Sequence, residues 1–164
     1  MTISAGLLGE FDHEMQNTRR TLERVPYDKA TWKPHAKSAS MGELARHLTH
    51  LPGLGIPVLT TPALDVAAER PRGEVSSTAD LLRLFDQNVA AARKALSDTA
   101  DADFRTPWTL NAGTRTLWTL PRMAAWRGFV MNHIIHHRAQ LGVYLRLNDV
   151  PVPGIYGPSA DEGI

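Results

Sequence analysis

Apolar residues recur at three- and four-residue spacings in separate stretches of this chain, and most stretches carry their own start or stop signal. Leu7, Leu8, Phe11, Met15, Leu22 and Val25, with Thr18 between them, make one side of a helix over residues 4–25. Arg19, Arg20, Glu23 and Arg24 supply its polar side, and Pro26 stops it. Residues 26–39 are rich in turn formers, carry Trp32-Lys33-Pro34-His35, and read as an ordered loop. Ser40-Met41-Gly42-Glu43 fits a capping box, followed by a buried stripe of Met41, Leu44, Leu48 and Leu51. Pro52 removes a backbone donor, and Gly53, Gly55 and Pro57 weaken the helix further, so it kinks or ends between Leu51 and Thr60.

Thr61–Ser76, with Pro62, Pro71 and Gly73, lacks periodicity and reads as a connector. Ser77 and Asp80 open a third helix whose stripe of Leu81, Leu82, Phe85, Val89, Ala92 and Leu96 runs to about Asp98. Two β-leaning runs, 107–110 and 114–118, flank Asn111-Ala112-Gly113 and predict a small hairpin. Pro121 suits the start of a last helix reaching about Leu147, with Val130, Ile134, His137, Leu141 and Tyr144 as one stripe. Residues 148–164 hold three prolines and several glycines and predict an irregular tail. Helices with one apolar face each satisfy one another by enclosing a common core, so the expectation is an all-α four-helix bundle, one domain over residues 1–164.

Composition narrows the chemistry. Eighteen Lys+Arg against 17 Asp+Glu leave a net charge of +1, with no basic field to drive nucleic-acid or anionic-membrane binding. The first ten residues lack a signal-peptide pattern, and no apolar run approaches the ~20 residues of a membrane span, so a cytoplasmic location is expected. With no cysteine, a metal ion could be held only by imidazole and carboxylate.

Five of the seven histidines fall in two predicted helices: His47 and His50 in the second, His133, His136 and His137 in the last. His47 projects from the shoulder of the leucine face. His133 and His137 stand one turn apart, close enough to chelate one divalent ion, and a histidine from a facing helix would complete a three-coordinate site with open positions. His136 paired with His133 at i, i+3 is a competing geometry. His13 faces away from the first helix's stripe; His35 and His50 read as rim or surface groups. Glu14 lies three residues after Phe11, a candidate carboxylate or base beside the site. Arg138 and Gln140 are candidates for orienting ligand imidazoles or a substrate. The four tryptophans read as core and loop anchors, one of which could line a pocket mouth.

The run Asn132-His133-Ile134-Ile135-His136-His137-Arg138-Ala139-Gln140-Leu141 resembles the HxxxHRxQ segment of the DinB-like bundle metalloproteins. Gly42-Glu43-Leu44-Ala45-Arg46-His47-Leu48 is similar to the segment carrying their first histidine, and the resemblance extends from Trp32-Lys33-Pro34 to the Ile155-Tyr156-Gly157 close. Ala139 stands where the motif often has glycine. The resemblance implies a four-helix bundle whose His47, His133 and His137 bind a divalent metal, usually nickel or zinc. It implies a metal-dependent enzyme acting on a small molecule, either a transferase using a low-molecular-weight thiol or a hydrolase. A non-enzymatic, metal-stabilised stress or interaction module is the alternative. Pairing is common in the family, and the small residues between Gly53 and Leu64 offer a surface for a homodimer.

Overall fold

The computed structural model describes residues 2–69 and 73–163; Pro71 of the predicted connector lies outside them. Helix α1 spans Ile3–Leu22, its start capped by the Thr2 hydroxyl, which accepts from the Ala5 N–H. Its apolar stripe buries Leu7, Phe11, Met15 and Leu22 as the spacing predicts. The capping box also forms. Ser40 Oγ accepts from Glu43 N at 3.2 Å, the Glu43 carboxylate accepts from Ser40 N at 2.7 Å, and α2 runs Met41–His50. A 3₁₀ turn at Pro52–Leu54 breaks the rod before the short helix α3, Gly55–Thr60. Gly55 is required there: a Cβ would stand 2.5 Å from the buried Trp126 ring.

Helix α4, Thr78–Asp98, starts where Ser77 Oγ accepts from Asp80 N. The final helical run has three parts: α5 (Arg122–Ala125), a π-helical stretch (Trp126–Met131) and α6 (Asn132–Leu147). Around the common core, α1 and α2 each pack beside both α4 and α6. The adjacency of α2 and α6 brings the two histidine-bearing segments together.

The all-α expectation is corrected by a small sheet. The predicted hairpin is present as β2 (Pro107–Ala112) and β3 (Arg115–Pro121), antiparallel, with Gly113 at φ +59° in the turn. A third strand, β1 (Ala63–Asp65), comes from the connector and pairs parallel to β2, Ala63 opposite Thr109, giving the order β1-β2-β3. Trp108 on β2 is buried and donates its indole N–H to the Pro57 carbonyl at 2.9 Å, fastening the sheet to α3.

The last helix also departs from the predicted stripe. Val130, Ile134 and Leu141 are buried, but the places expected for His137 and Tyr144 are taken by Arg138 and Leu145. Arg138 and Leu145 are, like His137 and Tyr144, one turn from Ile134 and Leu141, and they lie on the flank where Arg138 meets Glu14 of α1. His137 and Tyr144 therefore stand on the shoulder facing away from the core centre.

The tail has no regular secondary structure yet is tied down. Arg20 on α1 and Arg24 just beyond its end hold Glu162 at 2.5 and 2.7 Å, Arg146 pairs with Asp161, and Ser159 Oγ donates to the Val152 carbonyl at 2.6 Å. It forms a strap across α1 and α6.

Candidate metal centre

His47 enters from α2; His133 and His137 enter from adjacent turns of α6. The Nε2 atoms of His47 and His133 lie 3.3 Å apart. Ring centroids are separated by 5.1 Å for His47 and His133, 4.8 Å for His47 and His137, and 4.7 Å for His133 and His137. One nitrogen from each of the three lies within 4.8 Å of the others. For an ion with bonds of ~2.05 Å the edge of a nitrogen tetrahedron is ~3.4 Å, so the His47–His133 edge already fits. None of the three rings is buried, which leaves them room to close on an ion and leaves a side open to a further ligand. This group could hold one metal ion.

Neighbouring atoms set the orientation of the rings. His137 Nδ1 lies 2.7 Å from the Gln140 side-chain oxygen, so it carries the proton and donates, while Nε2 keeps a free lone pair. The His133 ring hydrogen-bonds the backbone of Phe129, one turn earlier. Partial burial lowers the pKa of His133, and the neighbouring His137 and His136 lower it further against that hydrogen bond. Burial likewise lowers His137, with the Gln140 contact opposing and His136 reinforcing. Both shifts favour the neutral imidazole that a metal needs.

His136 is exposed, 4.9 Å from the His137 ring by centroids, and outside the ligand group. His13, as the helical periodicity predicts, and His35 in the loop are exposed, and His50 is half-buried at the end of α2.

Glu14 and Arg138 are brought together, but with each other. Their side chains are 7% and 4% exposed, and Arg138 Nη1 donates to Glu14 Oε2 at 2.6 Å and to the Glu14 carbonyl at 3.1 Å. Arg138 Nη2 donates to the Tyr156 hydroxyl at 2.6 Å, which in turn donates to the Glu14 carboxylate at 2.8 Å. Partial burial and the hydrogen bond to Glu14 raise the Tyr156 pKa, so the phenol remains a donor. The triad locks α6 against α1 on the side of the helix away from the histidines. Sequence periodicity places Glu14 near the core but gives no sign of its partner 124 residues on, nor of Tyr156 in an irregular tail.

Aromatic residues border the histidines at both ends. Phe129 lies 6.2 Å from the His133 ring and packs on Trp118 and Trp108 at 5.7 and 5.8 Å; beyond His137, Tyr144 meets Trp32 edge-on at 5.4 Å. Trp126 and Trp108 are core anchors and Trp32 and Trp118 are half-buried. Among the described residues no helix is long and apolar enough to cross a membrane.

A helical bundle with three imidazoles converging from two neighbouring helices is an architecture suited to a mononuclear metal site with open positions. The chain belongs to the DinB superfamily, whose sequence model matches residues 10–141. Its fold is similar to that of a DinB-like protein from Bacillus subtilis at 20% identity, with a TM-score of 0.71 over 92% of this chain and 96% of that one. A DinB-like protein from Bacillus cereus is similar at 21% identity and a TM-score of 0.68, covering 93% of this chain and 97% of that one. Among curated proteins nothing matches.

Proposed function

We propose that the chain is a divalent-metal-dependent enzyme in which His47, His133 and His137 hold zinc or nickel and a small-molecule substrate reacts beside the ion. The observation that carries this reading is the convergence of three imidazole nitrogens within 4.8 Å, one of them oriented by Gln140. Such an ion, when bound, acidifies a thiol or water in its open position and so supplies a nucleophile at neutral pH. The chain contributes no thiol, so in S-transfer the sulfur comes from a low-molecular-weight thiol; with water the reaction is hydrolysis. The histidines stay neutral and bind, Gln140 sets the tautomer of His137, and the Glu14–Arg138 pair fixes the rotation of α6 that presents both of its ligands. In this reading Glu14 and Arg138 are positioning residues. The protein works in the cytoplasm as a homodimer, without nucleic acid or membrane as partner.

One observation favours a second reading, a metal-stabilised module without catalysis: a cavity of about 440 Å³ lies along α6, and none of the three histidines lines it. Elemental analysis of untagged protein tests the metal. Alanine at His47, His133 or His137 should each abolish stoichiometric zinc or nickel, whereas His136→Ala should retain it. Metal-loaded protein should then accelerate conjugation of a low-molecular-weight thiol to a small electrophile, or hydrolysis of an ester, amide or lactone. That activity should be lost in His137→Ala and on chelation, and restored to the wild type by adding metal back. Stoichiometric metal without any such reaction selects the second reading.

A further inference from the structure

The cavity along α6 is a groove between that helix and the C-terminal strap. Ala139, Gly142, Val143 and Leu147 form its helical wall, and Val152 and Ile155 form its strap wall. None of His47, His133 and His137 lines it, and by helical phase Ala139 and Gly142 stand roughly 120–180° around α6 from His133 and His137. The groove is therefore separate from the metal centre.

Its surroundings are unusual for a solvated face. Val143 and Leu147 are each 58% exposed and Tyr156 is 68% exposed, so three large apolar or aromatic side chains open onto one concavity. The volume, about 440 Å³, falls within the range of small-molecule sites, ~300–1,000 Å³, which are mostly apolar with a few converging polar groups. The charged residues in the lining are Arg138 and Arg146, with no carboxylate among the lining residues. Their partners, Glu14 and Asp161, stand outside that lining. Arg138 meets the Tyr156 hydroxyl through Nη2, whereas Arg146, half-exposed and already held by Asp161 through Nη1 and Nη2, is the more accessible of the two cations.

We propose that this groove binds an amphiphilic small anion, with an apolar chain or ring against the α6 flank and a carboxylate turned to the arginine side. Apolar area supplies the attraction, and an exposed guanidinium matches a carboxylate in charge and planar geometry. The occupant is a small molecule because the concavity is walled on both sides, by a helix and by a strap fastened through Glu162 and Asp161.

Octanoate and octan-1-ol, titrated calorimetrically into full-length protein with and without zinc, test the proposal. Octanoate should bind with one site per chain, independently of zinc, and more tightly than the alcohol. Gly142→Leu fills the groove from a position where a Cβ meets only Val152 at 3.8 Å, so the helix accepts it. It should weaken octanoate at least about tenfold while leaving zinc stoichiometry and the unfolding midpoint near wild type. Failure of wild type to bind octanoate, equal binding of the alcohol, or binding unaffected by Gly142→Leu would each overturn the proposal. So would a wild-type dimer that Val143→Glu converts to monomer, because a second copy would then cover the groove.

Discussion

Replacing Glu14 by leucine removes every side-chain acceptor from Arg138 except the Tyr156 and Thr18 hydroxyls, at a point where both members of the pair are more than nine-tenths buried. A buried cation left without its carboxylate loses the compensation for its desolvation, and such half-removals cost about 3–5 kcal/mol. For a domain of this size that lowers the thermal midpoint by roughly 6–20 °C. Replacing both residues, Glu14→Leu with Arg138→Met, removes charge and partner together and should return stability to within about 1 kcal/mol of wild type or above it. Urea unfolding followed by fluorescence of the buried Trp108 and Trp126 measures both variants and the Arg138→Met single. If Glu14→Leu costs less than about 1 kcal/mol, or the double variant is as unstable as the two singles added, the pair is not the buried, mutually dependent contact described here.

Three further outcomes are expected. Burial and neighbouring imidazoles lower the pKa of His133 and His137, so the metal-free fold should keep their contribution above the unfolded value of ~6.5 and lose stability as pH falls through the depressed folded values; urea midpoints at several pH values check this. Gln140→Ala, which frees His137 from its hydrogen bond, should weaken zinc about 10–100-fold by competition with a chromogenic chelator, with little change in metal-free stability. Gly55→Ala drives a Cβ into the Trp126 ring and should destabilise by about 1–3 kcal/mol, whereas Gly9→Ala, on a helix with nothing within 4 Å, should stabilise by up to about 1 kcal/mol; thermal unfolding distinguishes them.

Local signals in the sequence were sufficient for most of the helices. The Ser40/Glu43 capping box and the Ser77 cap mark boundaries through contacts spanning a few residues, and those contacts form, whereas α1 ends at Leu22, three residues short of the predicted Val25. The i, i+4 spacing of His133 and His137 and the shoulder position of His47 were legible for the same reason. What stayed hidden depends on distant partners or on phase. β1 is three residues long and exists because β2, more than 40 residues later, offers it an edge. The π-helical stretch from Trp126 carries no pattern of its own, and within α6 His137 and Arg138 lie equally close in phase to Ile134 and Leu141, so spacing alone does not tell which of them faces the core. The burial of Arg138 is intelligible only with Glu14 and Tyr156 in view.

The strap's fastenings have a consequence for ionic strength. Arg20, Arg24 and Arg146 are each about two-fifths to one-half exposed, so their grip on Glu162 and Asp161 is of the kind that dissolved salt screens over ~3 Å at 1 M. The helices beneath are held by apolar burial, which salt does not loosen. Concentrated salt should therefore act on this molecule as a selective solvent, loosening residues 157–163 toward proteases while Tyr156, the bundle and its histidines stay in place.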